Sequence, residues 1–158
     1  MDNFTKLLNK TYRFLSYRQR SIKEVDDYLA KKKASSLDSK RIINKLKEQK
    51  FLDDFEFAKW WIEQRSKIKP KAHRIIKFEL KQKGIDKELI EDLFEDGEDL
   101  KSDLEKALDL AGRKIARYKN LDRQKIYEKM GRFLASKGFD WDTIKKVVDQ
   151  LIPRDYNK

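Results

Sequence analysis

A buried-looking leucine followed closely by a lysine-rich ending recurs three times. Leu29 precedes Lys31-Lys32, Leu80 precedes Lys81-Gln82-Lys83-Gly84, and Leu134 precedes Lys137-Gly138. These leucines lie 51 and 54 residues apart. A period of this length implies small supersecondary units that cannot bury an apolar face alone and must stack on their neighbours. The expected product is an elongated tandem array of three three-helix repeats, offering a long surface instead of one deep pocket. Helix is the expected element throughout, because only 5 glycines and 2 prolines interrupt a chain that is 42% charged, with hardly any β-branched runs.

The repeats are expected over 1–50, 51–97 and 98–158. In the first, Phe4, Leu7, Leu8, Thr11, Phe14 and Leu15 recur at helical spacing. Ser21 and Glu24 form a capping box before Ile22, Val25, Tyr28 and Leu29, and Ala34-Ser35-Ser36 turns the chain into a helix with Ile42, Ile43 and Leu46. The second repeat opens at Asp53, a good N-cap, with Leu52 and Phe57 placed for a hydrophobic staple and with Ala58, Trp60, Trp61 and Ile62 behind. Pro70 suits the first turn of the next helix, which should run to a C′ residue at Gly84. Asp86 caps a sixth helix bearing Leu89, Ile90, Leu93 and Phe94, and Asp96–Asp99 is the best linker in the chain. The third repeat uses Ser102, Asp122 and Asp140 as caps and ends at Pro153, with a frayed tail expected over 154–158.

The formal charge of +11 favours a polyanionic partner. Charge is unevenly spread, at +8 over 1–50, −3 over 51–99 and +6 over 100–158. With 0 cysteines there is no disulfide framework and no thiolate chemistry. No apolar run is long enough for a membrane span, and residues 1–10 lack the apolar core of a signal peptide, so a cytoplasmic chain is expected.

Chemistry-bearing motifs are scarce. His73 is the only histidine and has no second ligand at metal spacing; Asp53-Asp54 is explained by helix capping; the serines fall in turns and caps. No phosphate-binding loop or nucleophile elbow is present, so neither catalysis nor a cofactor is expected. Trp60 and Trp61, with Arg65 and Lys67 nearby, could stack on bases, although helical placement argues that at least one indole is core. On the helix after Pro70, Ala72, Ile75, Ile76 and Leu80 share one side, while Lys71, Arg74, Lys77 and Lys81 share the other as a positive ridge. Arg113, Lys114 and Arg117, and then Lys125, Lys129 and Arg132, form comparable clusters in the third repeat.

Several ordered motifs resemble the RecX family of regulatory proteins. They are Tyr17-Arg18-Gln19-Arg20-Ser21-Ile22-Lys23-Glu24, Phe51-Leu52-Asp53-Asp54 with Phe57-Ala58, Arg65-Ser66, Lys69-Pro70-Lys71, and Glu79-Leu80-Lys81-Gln82-Lys83-Gly84-Ile85. The resemblance covers about residues 10–95. It implies three tandem three-helix repeats lodged in the groove of the RecA–DNA filament. The implied effect is to restrain filament extension and to lower ATPase and strand-exchange activity. It brings no catalytic residues, and some members also bind DNA. Lys33, Lys50 and Ala72 stand where the family often has glycine, so a left-handed turn at either lysine would be costly. Charge geometry nominates Arg65, Lys67, Lys71, Arg74 and Lys77 as the filament-binding set, with Arg113, Arg117, Lys125 and Arg132 as a second. The partner expected is the RecA filament, with single- or double-stranded DNA as a further anion, no membrane, and a monomeric chain. The rival reading is a stand-alone DNA-binding helical module.

Overall fold

The computed structural model describes residues 1–97 and 100–153, so Glu98 and Asp99 of the expected linker and the expected frayed tail lie outside the described residues. Among the described residues the fold is all-α, in three successive three-helix repeats. The first holds α1 (Asn3–Tyr17), α2 (Ile22–Lys31) and α3 (Ser36–Glu48). The second holds α4 (Asp54–Lys67), α5 (His73–Gln82) and α6 (Lys87–Glu95). The third holds α7 (Asp103–Lys114), which continues as a short 3-10 turn over Ile115–Tyr118, then α8 (Arg123–Ser136) and α9 (Trp141–Leu151).

Local caps begin most of these helices where the side chains called for them. Ser21 and Glu24 complete a reciprocal capping box, with Glu24 N–H donating to Ser21 Oγ and Ser21 N–H to Glu24 Oε1. Asp53 accepts from the Phe55 and Glu56 amides, and Ser35, Ser102, Asp122 and Asp140 cap in the same way. The expectation for Pro70 is corrected: α5 begins at His73, three residues later. The Lys71 carbonyl, which an earlier start would give to the helix, instead accepts from Lys106 Nζ at 2.7 Å.

Helix ends follow one rule four times. After α2, α3, α5 and α8 the C″ amide reaches back to a leucine carbonyl at C3: Ala34 to Leu29, Phe51 to Leu46, Ile85 to Leu80 and Phe139 to Leu134, at 2.9–3.2 Å. The C′ amide pairs with C2 in each, which makes four Schellman motifs, and all four leucines are fully buried. The C′ residue takes a left-handed backbone at Gly84 (φ 81°), Gly138 (φ 94°), Lys33 (φ 61°) and Lys50 (φ 62°). A lysine thus adopts the costly conformation twice.

The chain gathers into two compact units, Met1–Ile62 with Glu79–Asp96, and Glu63–Phe78 with Gly97–Lys158. The first has a core of Leu7, Leu8, Val25, Leu29, Ile42, Leu46 and Leu52. The second surrounds Ala72, Ala107, Ala111, Ile126, Met130, Leu134, Phe139, Ile144, Val147 and Val148. In it α7 and α8 both pack on α9.

Candidate partner-binding face

The same joint occurs once in each unit. In the first, Asp54, the opening residue of α4, accepts from the Ile22 amide at the start of α2 at 2.8 Å. In the second, Asp103, the opening residue of α7, accepts from the His73 amide at the start of α5 at 2.9 Å. The first helical residue of one repeat therefore caps the middle helix of the repeat before it. A glycine completes each joint. A Cβ on Gly84 would stand 2.7 Å from Lys23 Cβ, and one on Gly138 would stand 2.2 Å from Ile75 Cγ1. These glycines serve close approach as well as positive φ. Lys33 and Lys50 are exposed and need satisfy only the backbone.

This joint fixes the basic face of α5. Besides Asp103 on His73 and Lys106 on Lys71, the Ala72 amide donates to the Lys137 carbonyl at 3.0 Å and Arg74 Nε to the Gly138 carbonyl at 2.7 Å. Residues 71–74 are thus each held by the third repeat. Lys106 is only 1% exposed; burial lowers its pKa, partly opposed by Asp103, whose carboxylate is 3.9 Å from Nζ. His73 is half-buried, with Nε2 3.0 Å from the Lys101 carbonyl and 4.0 Å from Asp103 Oδ1. Burial and the neighbouring Lys106 depress its pKa against the opposing pull of Asp103.

All nine nominated cations fall in the second unit, but their circumstances differ. Lys67 pairs with Glu63 at 2.9 Å on the surface of α4. Arg65, Lys71 and Lys77 are half-buried, and Arg74 is exposed with its Nε committed to Gly138. On the third repeat, Arg113, Arg117, Lys125 and Arg132 are exposed, and no carboxylate among the described residues pairs with them. Lys125, Lys129 and Arg132 recur at helical spacing on α8, and all three are exposed.

Sequence reasoning missed three features here. Asp54 reads with Asp53 as a local helix cap and Asp103 is not singled out, whereas their amide partners lie 32 and 30 residues away. Lys106 sits beside the apolar stripe of α7 and carries no sequence mark of burial. In the first unit Glu24 gathers Arg18, Arg20 and Lys83, with Lys83 at 3.4 Å. Burial pushes the Glu24 carboxyl up, but the Arg18 hydrogen bond and the Ser21 amide outweigh it and hold its pKa below the usual range. Arg18 also lies 6.0 and 5.8 Å from the ring centroids of Trp60 and Trp61, and Lys83 lies 5.4 Å from Trp61. Both indoles are half-buried against Phe57.

Among the described residues no group of three His, Asp or Glu side chains is gathered as a metal ion would require, and no helix is long and apolar enough to cross a membrane.

Two family models match the chain: "RecX, second three-helix domain" over residues 53–93 and "RecX, third three-helix domain" over residues 101–148. A relative from Clostridium tetani (strain Massachusetts / E88), named Regulatory protein RecX, is 33% identical and aligns over 98% of this chain and 71% of its own length. A protein of the same name from Bacillus pumilus (strain SAFR-032) is 35% identical over 94% of this chain, which spans only 56% of that relative's length. Among solved structures, that of RecX from Lactobacillus salivarius superposes with a TM-score of 0.74 at 30% identity, covering 94% of this chain and 96% of its own.

Proposed function

Because the chain belongs to the RecX family, we propose that it is a non-enzymatic regulator that binds the RecA–DNA filament and lowers its extension, ATPase and strand exchange. It would act in the cytoplasm as a monomer, without a cofactor. The observation that carries this reading is the set of exposed cations on the third repeat that no carboxylate among the described residues neutralises, Arg113, Arg117, Lys125 and Arg132. An unpaired surface cation is available to a partner's anions, whereas one already in an ion pair must exchange partners. Arg65, Lys67, Lys71, Arg74 and Lys77 form the other contact set, with α5 held rigidly at its start. Preorganisation of this kind lowers the ordering cost of association.

The test is co-sedimentation with pre-formed RecA filaments, compared with naked single-stranded DNA at matched salt, alongside RecA ATPase measurements. Charge reversal at Lys71, Arg74 and Lys77 should abolish inhibition of the ATPase while leaving the helical circular dichroism spectrum unchanged. Full inhibition by that variant would remove the α5 face from the contact.

The unpaired row on α8 also favours a second reading, direct binding to a nucleic-acid backbone. That predicts a log K against log salt slope of about −0.9 per phosphate contacted on duplex DNA, the same with or without RecA.

A further inference from the structure

The sequence offers α5 two possible starts. Pro70 is preorganised for a first helical turn, yet the helix begins at His73. The residue at the N-cap position is Ala72, whose side chain cannot cap. The choice is therefore made from outside the helix. Starting at Pro70 would draw the Lys71 carbonyl into a bond with the Ile75 amide; here that carbonyl accepts from Lys106, and the Ile75 amide goes to Ala72 instead. Asp103 supplies the cap that Ala72 lacks.

Burying an ammonium is costly, and an apolar side chain at position 106 would pack without that cost. What the lysine contributes is direction. It engages one carbonyl at 2.7 Å, and Asp103 3.9 Å away serves both the ammonium and the His73 amide. On the contact reading given above, we infer that Asp103 and Lys106 are positioning residues for the basic face of α5. Neither touches the partner. Together they set where the helix begins, which holds Lys71 outside its first turn and anchors the end of α5 that carries Arg74 and Lys77.

A double-mutant cycle in the full chain tests this. Asp103→Ala, Asp103→Asn and Lys106→Met are each made alone and with Lys71→Ala/Arg74→Ala/Lys77→Ala, and affinity for pre-formed RecA filaments is measured by co-sedimentation. In the native background Asp103→Ala and Lys106→Met should each weaken binding about tenfold. Asp103→Asn, which keeps an acceptor for the His73 amide, should stay within about twofold. In the triple-alanine background none should weaken binding further, because there is no face left to position. Equal losses in both backgrounds would mean a general structural role and overturn the inference, as would native affinity in Asp103→Ala. Failure of the contact reading itself appears in a separate arm: the triple-alanine chain would then bind like the native one, and the inference would fall with it. Amide exchange reads the cap independently of binding. His73 N–H should lose protection in Asp103→Ala and keep it in Asp103→Asn, and unchanged protection in Asp103→Ala sinks the capping role. Should Asp103→Ala fail to fold, Lys106→Met, which keeps most of the volume, carries the same cycle.

Discussion

Lys33 and Gly138 hold equivalent turn positions in their repeats, yet their substitution should have opposite consequences. Lys33 and Lys50 carry a left-handed backbone with an exposed side chain, so glycine there relieves local strain at the expense of a more flexible unfolded chain. Lys33→Gly and Lys50→Gly should each stabilise by about 0.5–1 kcal/mol in urea melts. Gly138→Ala meets both the unfavourable φ and Ile75 Cγ1 at 2.2 Å, and should destabilise by about 2–4 kcal/mol. His73 gives the residue scale its pH dependence. Its folded pKa lies below the ordinary 6.5, so the unfolded chain binds the proton more tightly than the folded one. The corresponding stability is complete above that ordinary value and is lost as pH falls below it toward the folded pKa. The groups facing the imidazole are Asp103, Lys106, Lys77 and the Lys101 carbonyl. His73→Gln should flatten the pH profile of thermal stability below the ordinary histidine pKa, and an unchanged slope would assign it to another group.

Helices raise the question of what each start requires. Asp54→Ala removes the acceptor for the Ile22 amide and should cost about 1 kcal/mol, with Asp54→Asn close to neutral in the same denaturation series. The loss is limited because Ser21 still caps α2 locally. The contrast with α5 marks the boundary of what can be read from a sequence. Caps at Ser21, Asp53, Ser102, Asp122 and Asp140 lie within three residues of the amides they serve, and each was legible, while Ser35 was legible only as part of a turn. So were the glycine turns and the leucine period, because both are local or periodic. The start of α5 was not legible: Pro70 is the better local signal, and it loses to partners 30 to 65 residues farther along. Lys106 was invisible for the same reason, since the carbonyl that justifies its burial belongs to Lys71.

For the whole molecule, the net charge of +11 sets a general attraction, while pairing decides which cations can act on it. Reversing Arg113, Arg117, Lys125 and Arg132 removes two charges at each of four sites and takes the chain from +11 to +3. Because these side chains are exposed and pair with no carboxylate among the described residues, folding stability should change by no more than about 0.5 kcal/mol per site. Filament co-sedimentation should fall steeply, and a binding isotherm unaffected by the reversal would place the partner elsewhere. The joint between repeats has one more consequence, for the order in which the polypeptide is made. Residues 71–74 are each tied to the third repeat, through Asp103, Lys106, Lys137 and Gly138. A ribosome that has just released α5 has released a helix whose beginning is undecided between Pro70 and His73. Translation must advance through Lys106 before that choice can be made, and through Gly138 before all four residues are held, so a nascent chain stalled short of them would leave the exit tunnel with its basic ridge unset.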